Sequence, residues 1–107
     1  MMYFFLRLDP PRATFTQDMS AEERAVMHRH IAYWNELMRN GTAHVFGVVF
    51  DPTGGYGIGV IGVESEAERD AITAADPANG LNRYTAFPMR AVVPSTLPAR
   101  VESAQAG

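Results

Sequence analysis

Two helix-start signals of one kind, Ser20-Ala-Glu-Glu23 and Ser65-Glu-Ala-Glu68, punctuate the chain and leave few ways to fold it. In each, the serine hydroxyl can accept from the backbone N–H three residues on, while the glutamate reaches back to the serine's own N–H. The segments around them read as strands. Met2-Tyr-Phe-Phe-Leu-Arg-Leu8 is aromatic and β-favouring, and Asp9-Pro10-Pro11 stops it. A loop from Pro10 to Met19 carries Arg12 and Phe15. The first helix runs from Ser20 to about Asn40, where Gly41 ends it. Its apolar stripe is Val26, Met27, Ile31, Trp34, Leu37 and Met38, at helical spacing, and His30 falls within the stripe. Thr42 to Phe50 reads as a second strand, Asp51-Pro-Thr-Gly-Gly55 as a turn and Tyr56 to Val63 as a third strand. The second helix runs to about Ala75. Asp76-Pro77 ends it, Asn79-Gly80 turns the chain, and Arg83 to Val93 is the last strand. Pro88 within that strand calls for an edge position or a bulge.

The order β-α-β-β-α-β is the split βαβ, ferredoxin-like α+β pattern, with a four-stranded antiparallel sheet covered on one face by two helices. At 107 residues the chain is one domain, expected over residues 1–93, with a flexible Pro-, Ala- and Ser-rich tail over 94–107. The strands themselves are apolar on both faces. The second strand presents His44, Phe46, Val48 and Phe50 on one side and Ala43, Val45, Gly47 and Val49 on the other. The first divides into Phe4, Leu6 and Leu8 against Tyr3, Phe5 and Arg7. Strands of that kind belong to sheets buried on both sides. No third helix is expected to cover the second face, so a second copy is expected there, making a homodimer through the sheet face.

Composition narrows the chemistry. The chain has no cysteine and no lysine; all nine cations are arginine, against twelve Asp plus Glu, for a net charge of −3. Disulfides, thiolate ligands, cysteine nucleophiles, Schiff bases and a phosphate-loop lysine are thereby removed. The negative balance disfavours nucleic acid and anionic membranes as partners. Met1 to Leu6 is short and lacks a basic leader and a cleavage site. The weakly charged stretch from Asn40 to Val63 is interrupted by His44, Asp51-Pro52 and several glycines. Neither reads as a targeting or membrane segment, and a cytoplasmic protein is expected.

Few residues are left to carry chemistry. Gly57-Ile-Gly-Val-Ile-Gly62 matches the dinucleotide fingerprint literally, yet it lies inside a strand rather than in a strand-to-helix turn. The glycines are better read as allowing a close approach or a bulge. His28 and His30 project roughly 200° apart on a helix and cannot share a metal ion. His28 faces solvent. His30 faces the sheet, where an imbedded imidazole is either a core residue satisfied by one hydrogen bond or a proton-transfer group. Asp76 either shapes the helix-ending turn or orients a histidine. A loop after the second helix can reach the first, because both helices share one face. Tyr3, Phe5, Trp34, Phe46 and Tyr56 are core aromatics, some of which can line a pocket near His30. Arg7 alternates with aromatics in the first strand, where it can pair with a carboxylate or anchor an anionic substrate, as can Arg12.

The Tyr3-Phe-Phe-Leu start, the segment His30-Ile-Ala-Tyr-Trp-Asn-Glu-Leu37, the Gly41 stop and Ala75-Asp76-Pro77 before a last strand with Tyr84 resemble, in order and spacing, the YCII-related (YciI-like) family. The resemblance spans about Met2 to Val93. It implies a dimeric α+β barrel and a His/Asp active-site pair, matched here by His30 and Asp76. The expectation is a small enzyme, needing neither metal nor organic cofactor, that does acid–base chemistry of the isomerase or lyase type on a small, aromatic or lactone-like molecule. His30 and Asp76 are the expected catalytic residues, and Arg7, Trp34, Phe46 and Tyr56 the expected substrate contacts. The alternative is a non-catalytic, ligand-binding or stress-associated dimer.

Overall fold

In the computed structural model, which describes residues 1–94, the elements follow as β1 (Met2–Asp9), α1 (Phe15–Asp18), α2 (Ala21–Arg39), β2 (Ala43–Val49), β3 (Tyr56–Val63), α3 (Glu66–Ala75) and β4 (Arg83–Met89). The expected tail lies, apart from Pro94, outside the described residues. The strands form one antiparallel sheet in the order β2-β3-β1-β4. This is an α+β arrangement compatible with a ferredoxin-like fold. β1 and β3 sit centrally, and Pro88 lies in the edge strand β4, where its missing N–H costs no ladder bond on the outer side. β4 ends at Met89, short of the expected Val93.

Alternation along β1 sends Phe4, Leu6 and Leu8 into the core beneath the helices. There Phe4 and Leu6 meet Ile61 and Val63 of β3 and Trp34 and Leu37 of α2, while Leu8 lies at the cavity end. Each such large side chain contributes on the order of 2 kcal/mol by leaving water. α2 begins at a complete capping box: the Glu23 N–H donates to Ser20 Oγ (3.1 Å), and the Ser20 N–H donates to Glu23 Oε1 (2.9 Å). Gly41, at φ 85°, turns the chain out of the helix, a conformation that suits a residue without Cβ. α3 has only half the expected box. The Glu68 N–H donates to Ser65 Oγ, but the Glu68 carboxylate accepts from the Glu64 N–H instead of from Ser65.

Three further expectations are corrected. The loop before α2 contains the single turn α1, held down by the buried ring of Phe15. The inward face of α2 is rotated, so that Tyr33 packs inward and Ile31 and Met38 are exposed. Tyr33 is drawn in by its hydroxyl, which donates to the Ile72 carbonyl of α3 (2.7 Å).

The third correction concerns β2. Ala43 pairs with Ile61 and Val45 with Val60, leaving His44 as an extra residue in the ladder. A bulge of this kind breaks the two-residue period. Ala43, Phe46 and Val48 consequently share the helix-covered face, while His44 joins Val45, Gly47 and Val49 on the other. That other face, with Tyr3 and Phe5 of β1, Ile58 and Val60 of β3, and Phe87 and Met89 of β4, is covered by no element among the described residues.

Candidate functional site

The residue that organises the site is Asp76, just past the end of α3. Pro77 disfavours helical geometry in the residue before it, and Asp76 adopts φ −66°, ψ 125°. Its carboxylate folds over the turn, where Oδ1 accepts from the Ala78 N–H (2.8 Å) and the main-chain oxygen accepts from the Asn79 N–H (3.0 Å). The turn thereby pushes a carboxylate under α2, where it is 3% exposed.

Burying an anion there is costly unless its lone pairs are filled. His30 Nδ1 stands 2.8 Å from Oδ2 and 3.0 Å from Oδ1. One helical turn on, Trp34 Nε1 donates to Oδ2 (3.1 Å) and shares its hydrogen with the Tyr84 oxygen (3.0 Å). The Tyr84 hydroxyl of β4 donates to the same Oδ2. Burial pushes the Asp76 carboxyl upward, but the hydrogen bonds from His30, Tyr84 and Ala78 together with the His30 charge outweigh it, and the net shift is below the usual carboxylate range. Burial and the adjacent Asp76 raise the Tyr84 phenol well above its ordinary value, so it remains a donor. With an ionised Asp76 accepting at Nδ1, the hydrogen of neutral His30 belongs on Nδ1 and the lone pair on Nε2.

His30 also lines a cavity of about 320 Å³, under α2 and beside the β2–β3 hairpin. Leu8, Phe15, Met19, Met27 and Phe46 make most of its wall, and Ile31 and Val48, both exposed, stand at its rim. Its polar contributors are His30, Asn82 and Thr16. Asn82 is buried and donates its amide nitrogen to the Ala78 carbonyl (3.3 Å) and toward Met27 Sδ (3.4 Å).

The structure therefore brings together His30, Asp76 and Phe46; Tyr56 borders the cavity, but its ring is turned to the uncovered sheet face beneath Arg7. Trp34 lies behind the cavity, its indole laid over Gly59 and holding Asp76. Arg7 is not brought to the cavity. It projects from the uncovered sheet face, where Nε donates to Asp9 Oδ1 (2.8 Å) and the guanidinium stacks 3.8 Å over the Tyr56 ring. Arg12 is also spoken for: it donates to Asp18 (2.8 Å) and bidentately to Glu23 (2.8 and 2.9 Å). That clamp holds the Glu23 carboxyl at about 2 and ties the segment ahead of α2 to its first turn. Sequence reasoning gave no role to Asn82 and Phe15. It cited Tyr84 without its bond to Asp76; the available signal was that a tyrosine on the covered face of β4 must find a partner for its hydroxyl. Among the described residues no three His, Cys, Asp or Glu side chains gather as a metal site would require.

No family model and no curated protein matches this chain.

Proposed function

We propose that the chain is a small acid–base enzyme in which His30 moves a proton on a substrate held in the apolar cavity. The observation that carries this reading is the 2.8 Å contact between His30 Nδ1 and buried Asp76, on a histidine whose other nitrogen is left for the cavity it lines. Nε2 takes a proton from the substrate; the resulting imidazolium is stabilised by the adjacent carboxylate and returns the proton to a second atom or to a leaving group. The first outcome is an isomerisation, the second an elimination. A positioned base of this kind contributes about 10²–10⁴-fold. Asp76 sets the tautomer and ring angle and exchanges no proton itself.

The active form is a homodimer joined through the uncovered sheet face, closing the two sheets into an α+β barrel as in the YCII-related proteins it resembles. Support comes from the exposure of Val45 and Phe87, each 46%, in a patch continuous with Tyr3, Phe5 and Ile58. Sedimentation equilibrium should give twice the chain mass, and Phe87→Glu should halve it.

Two measurements test the chemistry. Imidazole 15N shifts should show His30 as the Nδ1–H tautomer in the native chain and released to the Nε2–H form in Asp76→Asn. Deuterium uptake from D2O into a panel of small phenols and lactones should then fall about 100-fold or more in His30→Gln. A native Nε2–H tautomer, or uptake unaffected by His30→Gln, refutes the reading and leaves a ligand-binding dimer.

A further inference from the structure

The cavity's walls restrict what His30 can act on. Its volume, about 320 Å³, is twice that of an engineered apolar cavity of about 150 Å³ that accepts benzene, so it has room for a substituted ring. No Asp, Glu or Arg lines it among the described residues. The two arginines that sequence offered as anion anchors are committed. Arg7 is behind the sheet on Asp9, and Arg12 is held between Asp18 and Glu23, a cluster with more negative than positive charge. Behind His30 stands Asp76, so an entering carboxylate would approach a second anion with no cation to meet it.

Of the three polar side chains on the lining, Thr16 has a hydroxyl that can donate or accept, while Asn82 and His30 offer acceptors. The Ala78 carbonyl can only accept, so the Asn82 group facing it is the NH2 end. Its Oδ1 accepts from no group among the described residues, and it is not an orphaned buried atom either. His30 Nε2 is an acceptor for the reason given above. A ligand satisfies two such atoms by bringing hydrogen-bond donors.

From this we infer that the cavity takes an uncharged, hydroxyl-bearing ring compound of the phenol or enol class and refuses carboxylates. The inference rests on the reading of the cavity as the substrate site and narrows it: a lactone, which has only acceptors, is a poorer match than a phenol. Donation of the hydroxyl to Nε2 also places the most acidic proton of such a compound on the base.

The test uses the full wild-type chain and three probes of matched size at pH 7: 4-methylphenol, 4-methylanisole and 4-methylbenzoate. Binding is followed by the Met27 methyl and His30 imidazole resonances. 4-Methylphenol should bind about tenfold or more tighter than 4-methylbenzoate, the cost of placing an unpaired charge in the cavity. It should bind about fivefold tighter than 4-methylanisole, the value of one hydrogen bond. Equal or tighter binding of the benzoate overturns the inference. So does equal binding of phenol and anisole, and so does a lack of any effect at Met27 and His30 with all three probes. The acid–base reading is judged separately. Phenol selectivity without deuterium exchange keeps the ligand class and removes the catalysis. Exchange combined with a preference for the benzoate does the reverse.

Discussion

Gly59 is where the sheet and the site depend most directly on one another. A Cβ built there would stand 2.4 Å from Cη2, 2.6 Å from Cζ3 and 3.1 Å from Cζ2 of Trp34. Carbon atoms in contact sit at about 3.5–4.0 Å, so the indole would have to retreat by roughly 1 Å. The ring is rigid, 2% exposed, and pinned at Nε1 by Asp76 and Tyr84, so it has no free end to swing. Two effects compete in Gly59→Ala. Removing a glycine from a strand interior gains about 0.5–1 kcal/mol. Overpacking a well-filled core costs about 1–3 kcal/mol, and more where the neighbour cannot yield. The clash wins, with a net loss of about 2 kcal/mol and a fall in melting temperature of about 8–16 °C for a domain of this size. Urea denaturation should show a lower midpoint at unchanged slope. Because the displaced indole pulls on Asp76, the His30 imidazole resonances should shift as well. The background Trp34→Phe, which shortens the ring, should absorb most of the Gly59→Ala penalty in a double-mutant cycle. A Gly59→Ala chain as stable as the parent, with unmoved His30 resonances, would refute the account of these glycines as a seat for Trp34.

Other perturbations have definite outcomes. Tyr84→Phe removes a donor to a buried carboxylate and should cost about 2 kcal/mol, read from urea unfolding, and should raise the pH at which acid unfolds the chain. The Asp76 carboxyl lies below its ordinary range, so the stability it contributes is complete above about pH 4 and is lost as pH falls through its lowered folded value. Asp76→Asn should flatten that acid limb in a pH series of melting temperatures. Arg12→Ala frees Asp18 and Glu23 and unties the segment carrying Phe15 and Met19. Amide exchange should accelerate over residues 12–19 while the rest of the sheet keeps its protection, and affinity for 4-methylphenol should weaken severalfold.

The elements were legible because their punctuation is local. Ser20, Gly41, Ser65 and Pro77 each act on backbone groups within a turn of themselves, and β3 and α3 end where those signals put them. The same locality brought His30 and Asp76 into view: a helix stripe and a helix-ending Asp-Pro on elements that share one face of a sheet. What stayed hidden depends on partners distant in sequence. The bulge at His44 arises from how β2 meets β3, and one inserted residue was enough to exchange the faces of the strand. Whether Arg7 faces a substrate or Asp9 is decided by the strand's pleat, which carries residues two apart to one side. The role of Gly59 needed the position of Trp34, twenty-five residues earlier. The hydroxyl of Tyr84 meets Asp76 only because β4 returns beside β1 beneath the same helix.

The donors around Asp76 bear on what the site can do. Ala78, Trp34 and Tyr84 are neutral, and among the described residues His30 is the only group in direct contact with the carboxylate that can become a cation. Neutral donors make the buried anion tolerable without cancelling its charge. The carboxylate keeps its charge against the Nδ1 side of the His30 ring. A neutral ligand that gives up its proton leaves an anion on one side of the imidazolium and Asp76 on the other, a charge sequence in which each neighbour attracts the next. An anionic ligand would begin with two negative charges across a neutral ring and gain nothing from the apolar wall. On the proposed acid–base reading, the apolar lining, the committed arginines and the neutral donors on Asp76 fit one order of events, in which charge appears inside the cavity only when His30 takes the proton.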